Sequence, residues 1–169
     1  MLLGCQTSRR TGRVVAAPEV LTYSVSCVNL PIYLHIYLVP SGTRQLANQN
    51  YGICIKAENG YCGITWQRNK AVGNNSFTVS GNVPGTDPSL VGTPAAVGTG
   101  AECTTDYVII PGGVDDNQNS VDRFCGLGFP NSVTSTMKPF VLYVHTDGDR
   151  GSGVANRGFN MQYRQIVYC

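Results

Sequence analysis

The residues best equipped for chemistry cluster in CTTDYVIIPGGVDDNQNSVDRFCG, Cys103 to Gly126, which holds two thiols, a carboxylate beside a phenol at Asp106-Tyr107, and a β-branched run. Such a set could supply a nucleophile and an acid, or it could staple a core strand. Two other stretches look like enzyme loops. GDRGSG has the glycines of a serine-protease nucleophile loop, but its serine, Ser152, stands at the wrong place in it. CGITW is similar to a thiol-protease signature, yet Thr65 occupies the position of the attacking cysteine. The chain has two histidines, His35 and His145. His35 falls in an atypical apolar segment, so His145 alone could act as a base, and it reads more simply as a structural histidine. The chain is not expected to be an enzyme.

Seven cysteines are spread along the chain: Cys5, Cys27, Cys54, Cys62, Cys103, Cys125 and Cys169. None forms a C-x-x-C pair and neither histidine has ligand-like spacing, which argues against a zinc site. Dispersed cysteines in a chain with few charges point to an oxidising compartment and hence to secretion. The sequon Asn74-Asn75-Ser76 agrees with this and makes Asn74 the expected glycosylation acceptor.

The elements that must position these residues are strands. In 169 residues there are 20 glycines and nine tyrosines, and charged residues make up 13%, which is about half the usual share. The length fits one domain with a sizeable core. A net charge of +2 without a basic run excludes nucleic acid as the expected partner. The apolar stretch VNLPIYLHIYLVP contains Pro31, His35 and Pro40. It falls short of the roughly 20 apolar residues of a membrane helix, so no membrane span is expected. The opening MLLGCQTSRR is too short for the basic and apolar regions of a signal peptide. The chain therefore reads as a piece of a longer secreted protein, or as one with a misplaced start.

Three zones follow. Residues 1–17 are a polar lead-in that reads as an opening strand region. Residues 18–40 are an atypical apolar insertion, and residues 41–169 have the uniform texture of short strands and turns expected of a sandwich or barrel. YGICIKAENGYCGITW reads as a hairpin on a type I′ turn at Asn59-Gly60. In that register Ala57 faces Cys62, which puts Cys54 and Cys62 on opposite faces. They should not pair with each other, and Cys5 and Cys169 are candidate partners. SFTVSG, DYVII, PFVLYVHT and RGFNMQYRQIVYC read as further strands, and NVPGTDPSLVGTPAAVGTGAE as a long loop. Trp66, Tyr107, Phe124, Phe140 and Phe159 are expected in the core. Tyr51, Tyr61, Tyr143, Tyr163 and Tyr168 are candidate exposed anchors.

From Ser41 to Cys169 the motifs resemble CUB domains, in particular the CUB-like domain of secreted arthropod proteins. NQNYGICI, GYC, CTTDYVIIP, DRFCG, KPFVLYV and NRGF…YRQ occur in the family's order. The resemblance implies an all-β, disulfide-stapled antiparallel β-sandwich of jelly-roll type. It also implies an extracellular, non-catalytic module that binds protein or glycan ligands through its loops. Gly85 to Gly100 and the HTDGDRGSG turn are the loops singled out for recognition. A structural matrix or cuticle component, or an accessory domain of a larger secreted protease or receptor, would share these features.

The resemblance maps three bridges onto this chain: Cys103–Cys125, Cys5–Cys54 and, by remainder, Cys62–Cys169. Chain entropy assigns the first roughly 3 kcal/mol. Cys27 and residues 18–40 have no counterpart in the family, so that segment reads as foreign to the domain, for instance as retained non-coding sequence. Calcium is the one cofactor that the resemblance offers, through Asp106 and Asp147. The family's glutamate should lie eight residues before Asp106, where this chain has Gly98; Glu102 is near but out of register, and Asp149 could add a ligand.

Overall fold

The computed structural model describes residues 11–15, 44–80, 88–149 and 156–169, the first of these segments by its backbone. Among them are eleven strands: β1 Thr11–Val15, β2 Asn50–Ile55, β3 Gly63–Arg68, β4 Phe77–Thr78, β5 Val97–Thr99, β6 Tyr107–Ile109, β7 Val114–Asp115, β8 Arg123–Gly126, β9 Val133–Ser135, β10 Phe140–His145 and β11 Gly158–Ile166. They form two antiparallel sheets. One runs β1-β11-β3-β9-β7, with β4 also pairing β11, and the other runs β2-β10-β6-β8-β5.

β10 shows how the sequence builds the sandwich. Its alternation sends Phe140, Leu142 and Val144 into the core and leaves Tyr143 and His145 on the other side. Ile64 and Trp66 of β3, Phe159 and Met161 of β11, Val108 of β6 and Phe124 of β8 meet them between the sheets. A fully buried Phe or Leu contributes about 1.5–3 kcal/mol, so this shared interior is the main force holding the sheets together. Phe129 ties the aromatic cluster together, with its ring 5.0 Å from Phe77 and 5.2 Å from Phe124.

The expected hairpin at residues 51–66 is instead a corner. β2 pairs β10 in one sheet, and β3 pairs β11 and β9 in the other. The turn itself is present, with Tyr61 N donating to Glu58 O at 3.1 Å. Gly60 has φ +82° whereas Asn59 does not have a positive φ. Type I′ needs both, so the geometry is that of type II, and the chain passes from one sheet to the other rather than folding back on itself. The long loop is also more ordered than its composition suggests. Its described part contains 3-10 turns at Pro88–Leu90, Pro94–Ala96 and Gly100–Glu102, and β5 joins it to the sheet edge beside β8.

Candidate functional site

The acidic end of the long motif is built around Asp106, just before β6. It is 2% exposed. Its Oδ1 accepts from Asp147 N and its Oδ2 from Asn156 Nδ2, both at 2.9 Å. The same residues bind the segment before β2, because Gln45 N donates to Asn156 O and Asn48 N to Asp147 O, each at 2.7 Å. One carboxylate therefore links the entry to β6, the loop after β10 and the entry to β11. Burial pushes its carboxyl up to about 6, helped by the neighbouring charges of Asp147 and Asp149 and opposed by the Asp147 amide and His145. Asn156 sits at φ +52° and its buried Oδ1 has no hydrogen-bond partner.

From this hub β6 runs into a row of side chains on the outer face of its sheet. The register sets Gly52, Tyr143, Ile109 and Arg123 side by side across four strands, with Asn50, His145 and Tyr107 in the next row. The Tyr107 and His145 rings stack at 4.8 Å, and the Arg123 guanidinium lies 4.5 Å from the Tyr107 centroid. Arg123 is further fixed by donating from Nη1 to Cys103 O at 3.2 Å. Tyr143 is 44% exposed. A Cβ at Gly52 would come within 3.1 Å of its ring, so the glycine lets that ring lie flat on the sheet.

The aromatics thus divide differently from the sequence reading. Trp66, Phe124, Phe140 and Phe159 are core, but Tyr107 is half-buried on the outer face because β6 alternates with Val108 inward. Tyr51 is half-buried against the core rather than an exposed anchor, and burial raises its phenol to about 12. Tyr61 and Tyr163 are half-buried, whereas Tyr168 is 91% exposed.

Among the described residues there are two disulfides. Cys103 joins Cys125 with Cα atoms 5.5 Å apart, and Cys62 joins Cys169 at 6.1 Å. Cys54 lies half-buried on β2, opposite Val141. Its expected partner Cys5 lies outside the described residues, as do Cys27 and the whole segment 18–40. Asn74 is exposed in the 3-10 turn Asn74–Ser76, and a Cβ at Gly92 would meet its carbonyl oxygen at 2.1 Å.

The carboxylates do not fit a calcium cradle. Both Asp106 oxygens face N–H donors, and Asp147 Oδ1 accepts from Asp149 N at 2.7 Å. Glu102 closes a capping box with Thr99. The glutamate position is Gly98, where a Cβ would already stand 2.7 Å from Cys125 Sγ. Among the described residues no group of three or more His, Cys, Asp or Glu could hold a metal ion. The enzyme-like loops also take other roles. Cys62 is bridged, Thr65 Oγ1 shares a hydrogen bond with Thr134 Oγ1 at 3.0 Å, and His145 is stacked on Tyr107. Ser152 lies outside the described residues.

Comparison with known families decides what this sandwich is: the animal CUB domain model matches residues 25–166. The chain belongs to the animal CUB domain family. The match begins inside the segment 18–40 that stands apart in sequence. A curated relative, Tolloid-like protein 1 of Homo sapiens, is 32% identical over 68 residues, 40% of this chain and 6% of that protein. As a CUB domain the chain is of the class of extracellular protein-interaction modules, which are generally non-catalytic. The two disulfides among its described residues suit an extracellular setting. Among the described residues no helix is long and apolar enough to cross a membrane.

Proposed function

We propose that this CUB domain is a secreted, non-catalytic module that binds an extracellular protein through the outer face of β10, β6 and β8, beside the loops joined by Asp106. The observation that carries this reading is the outer-face row of exposed Tyr143 and half-buried Ile109 and Arg123, with the Tyr107–His145 stack next to it. Tyr and Arg are the residue types that dominate binding energy at protein interfaces. Here they stand on a sheet rather than on flexible loops, so little conformational freedom is lost on binding. The recognition loops expected from sequence flank this face in part: residues 145–149 adjoin Asp106, while 81–87 and 150–155 lie outside the described residues. Asn74, exposed on a different element, is the proposed glycan acceptor.

The test is capture from extracellular fluid with immobilised wild-type domain, Tyr143→Asp and Arg123→Glu, followed by quantitative mass spectrometry. Proteins held by the wild type should be lost on both variants while near-ultraviolet circular dichroism stays unchanged. Equal capture by all three would overturn the reading.

A further inference from the structure

The opposite sheet carries a second surface of different chemistry. An open pocket of about 410 Å³ lies along the ends of β3 and β11 and the turn that follows β3, lined by Gln67, Arg68, Lys70, Asn131 and Gln162. Ala71 is its one apolar lining residue. Gln67 and Gln162 are direct partners in the β3–β11 register, and Arg13 of β1 is the next partner of Gln162. One register row therefore runs Arg13, Gln162, Gln67, and the row two residues along β11 contains Arg164 and Thr65.

The pocket is built rather than incidental. Asn69, which also lines it, is 2% exposed. Its Oδ1 accepts from Ala71 N and its Nδ2 donates to Asn160 Oδ1, both at 3.2 Å, which fixes the turn that presents Lys70. Arg68 donates from Nη1 to Ser76 Oγ at 3.4 Å, and its guanidinium pKa is lowered by burial alone. Lys70 therefore faces the pocket, exposed Arg164 shares the outer face of β11 with Gln162, and no carboxylate is among the lining residues. Asp116, which is not a lining residue, accepts from Asn131 Nδ2 at 2.8 Å.

We infer that this pocket binds the sulfate groups of a sulfated glycosaminoglycan. Arginine and lysine supply charge for the sulfates, and paired glutamine amides supply both donors and acceptors for sugar hydroxyls. An acidic protein segment would want an apolar anchor, which the lining does not offer. The surface lies on the opposite sheet from the proposed protein-binding face, so the CUB domain could hold a glycan and a protein together.

The probe is a heparin octasaccharide, titrated into the isotopically labelled domain at about 0.1 M salt, where surface charges are only partly screened. The side-chain amide signals of Gln67 and Gln162 should shift. Lys70→Gln, and Arg164→Gln with Lys70→Gln, should weaken binding about tenfold or more, while Lys56→Gln, a cation outside the pocket, leaves it unchanged. The desulfated octasaccharide should bind about tenfold more weakly than the sulfated one. Absence of heparin binding, unmoved Gln67 and Gln162 amides, or full affinity in Lys70→Gln would each overturn the inference. Polyglutamate binding as tightly as heparin would do so as well, because it would mark an acidic-peptide site.

Discussion

Asp106 holds three segments together while its carboxylate is buried, and its protonation follows from that position. Its folded value of about 6 lies above the ordinary 3.8. The stability it contributes is therefore full below about pH 4 and is lost as pH rises through its folded value. Protonation also has a structural outlet, because an Asp106 hydroxyl could donate to the orphaned Asn156 Oδ1 once that amide turns over. Asp106→Asn should accordingly cost less than about 1 kcal/mol at neutral pH. It should also flatten the wild type's gain in urea midpoint between pH 8 and pH 5. Asp106→Ala strands the Asp147 amide, at about 1–3 kcal/mol, and leaves Asn156 Nδ2 only its bond to Asp149 O. Equal losses for Asn and Ala in urea denaturation would contradict the hub. Calcium supplies a second check on the same residue. Because its oxygens already face N–H donors, millimolar Ca²⁺ should leave the Tm unchanged in scanning calorimetry, whereas a rise would mean that Asp106 and Asp147 reorganise around the ion.

At the scale of elements, β11 organises its sheet by pairing with β1, β3 and β4, and the Cys62–Cys169 bridge ties its end to the start of β3. The bridge spans 107 residues of sequence. Removing it as Cys62→Ser with Cys169→Ser should cost about 2–5 kcal/mol, read as a lower urea midpoint, chiefly by releasing the unfolded chain. A midpoint within error of the wild type would show that the sheet closes without it. Much of this was legible in the sequence. The alternation in PFVLYVHT and in the β11 segment marks strands wherever they pair, and the turn at Asn59-Gly60 is where composition places it. The sheet to which each strand belongs was not legible. A period of two residues is the same in a hairpin and at a corner, so β2 and β3 looked paired although tertiary packing sends them to different sheets. Tyr107 was misplaced for a related reason, since in DYVII alternate residues could equally face inward and only the pairing beside core residues Phe124 and Val144 decides that Val108 does.

Considered whole, the CUB sandwich has two outer faces with different chemistry: aromatic and aliphatic with one arginine on β10, β6 and β8, amide and cation on β3 and β11. Sequence pointed to the stretch from Cys103 to Cys125 as the place of interest and split its readings between chemistry and stapling. The fold gives it both a staple and a surface, because the bridge anchors β8, whose Arg123 stands beside Tyr107 and Ile109 on the outer face. The central claim is that this row binds a protein partner. It is tested most directly by comparing, in one extracellular-fluid capture, wild type, Tyr143→Asp, Arg123→Glu and the opposite-face variant Lys70→Gln. The account predicts that captured proteins fall at least about tenfold on the first two variants and persist on Lys70→Gln. Equal retention on all four, with the fold intact, would contradict it.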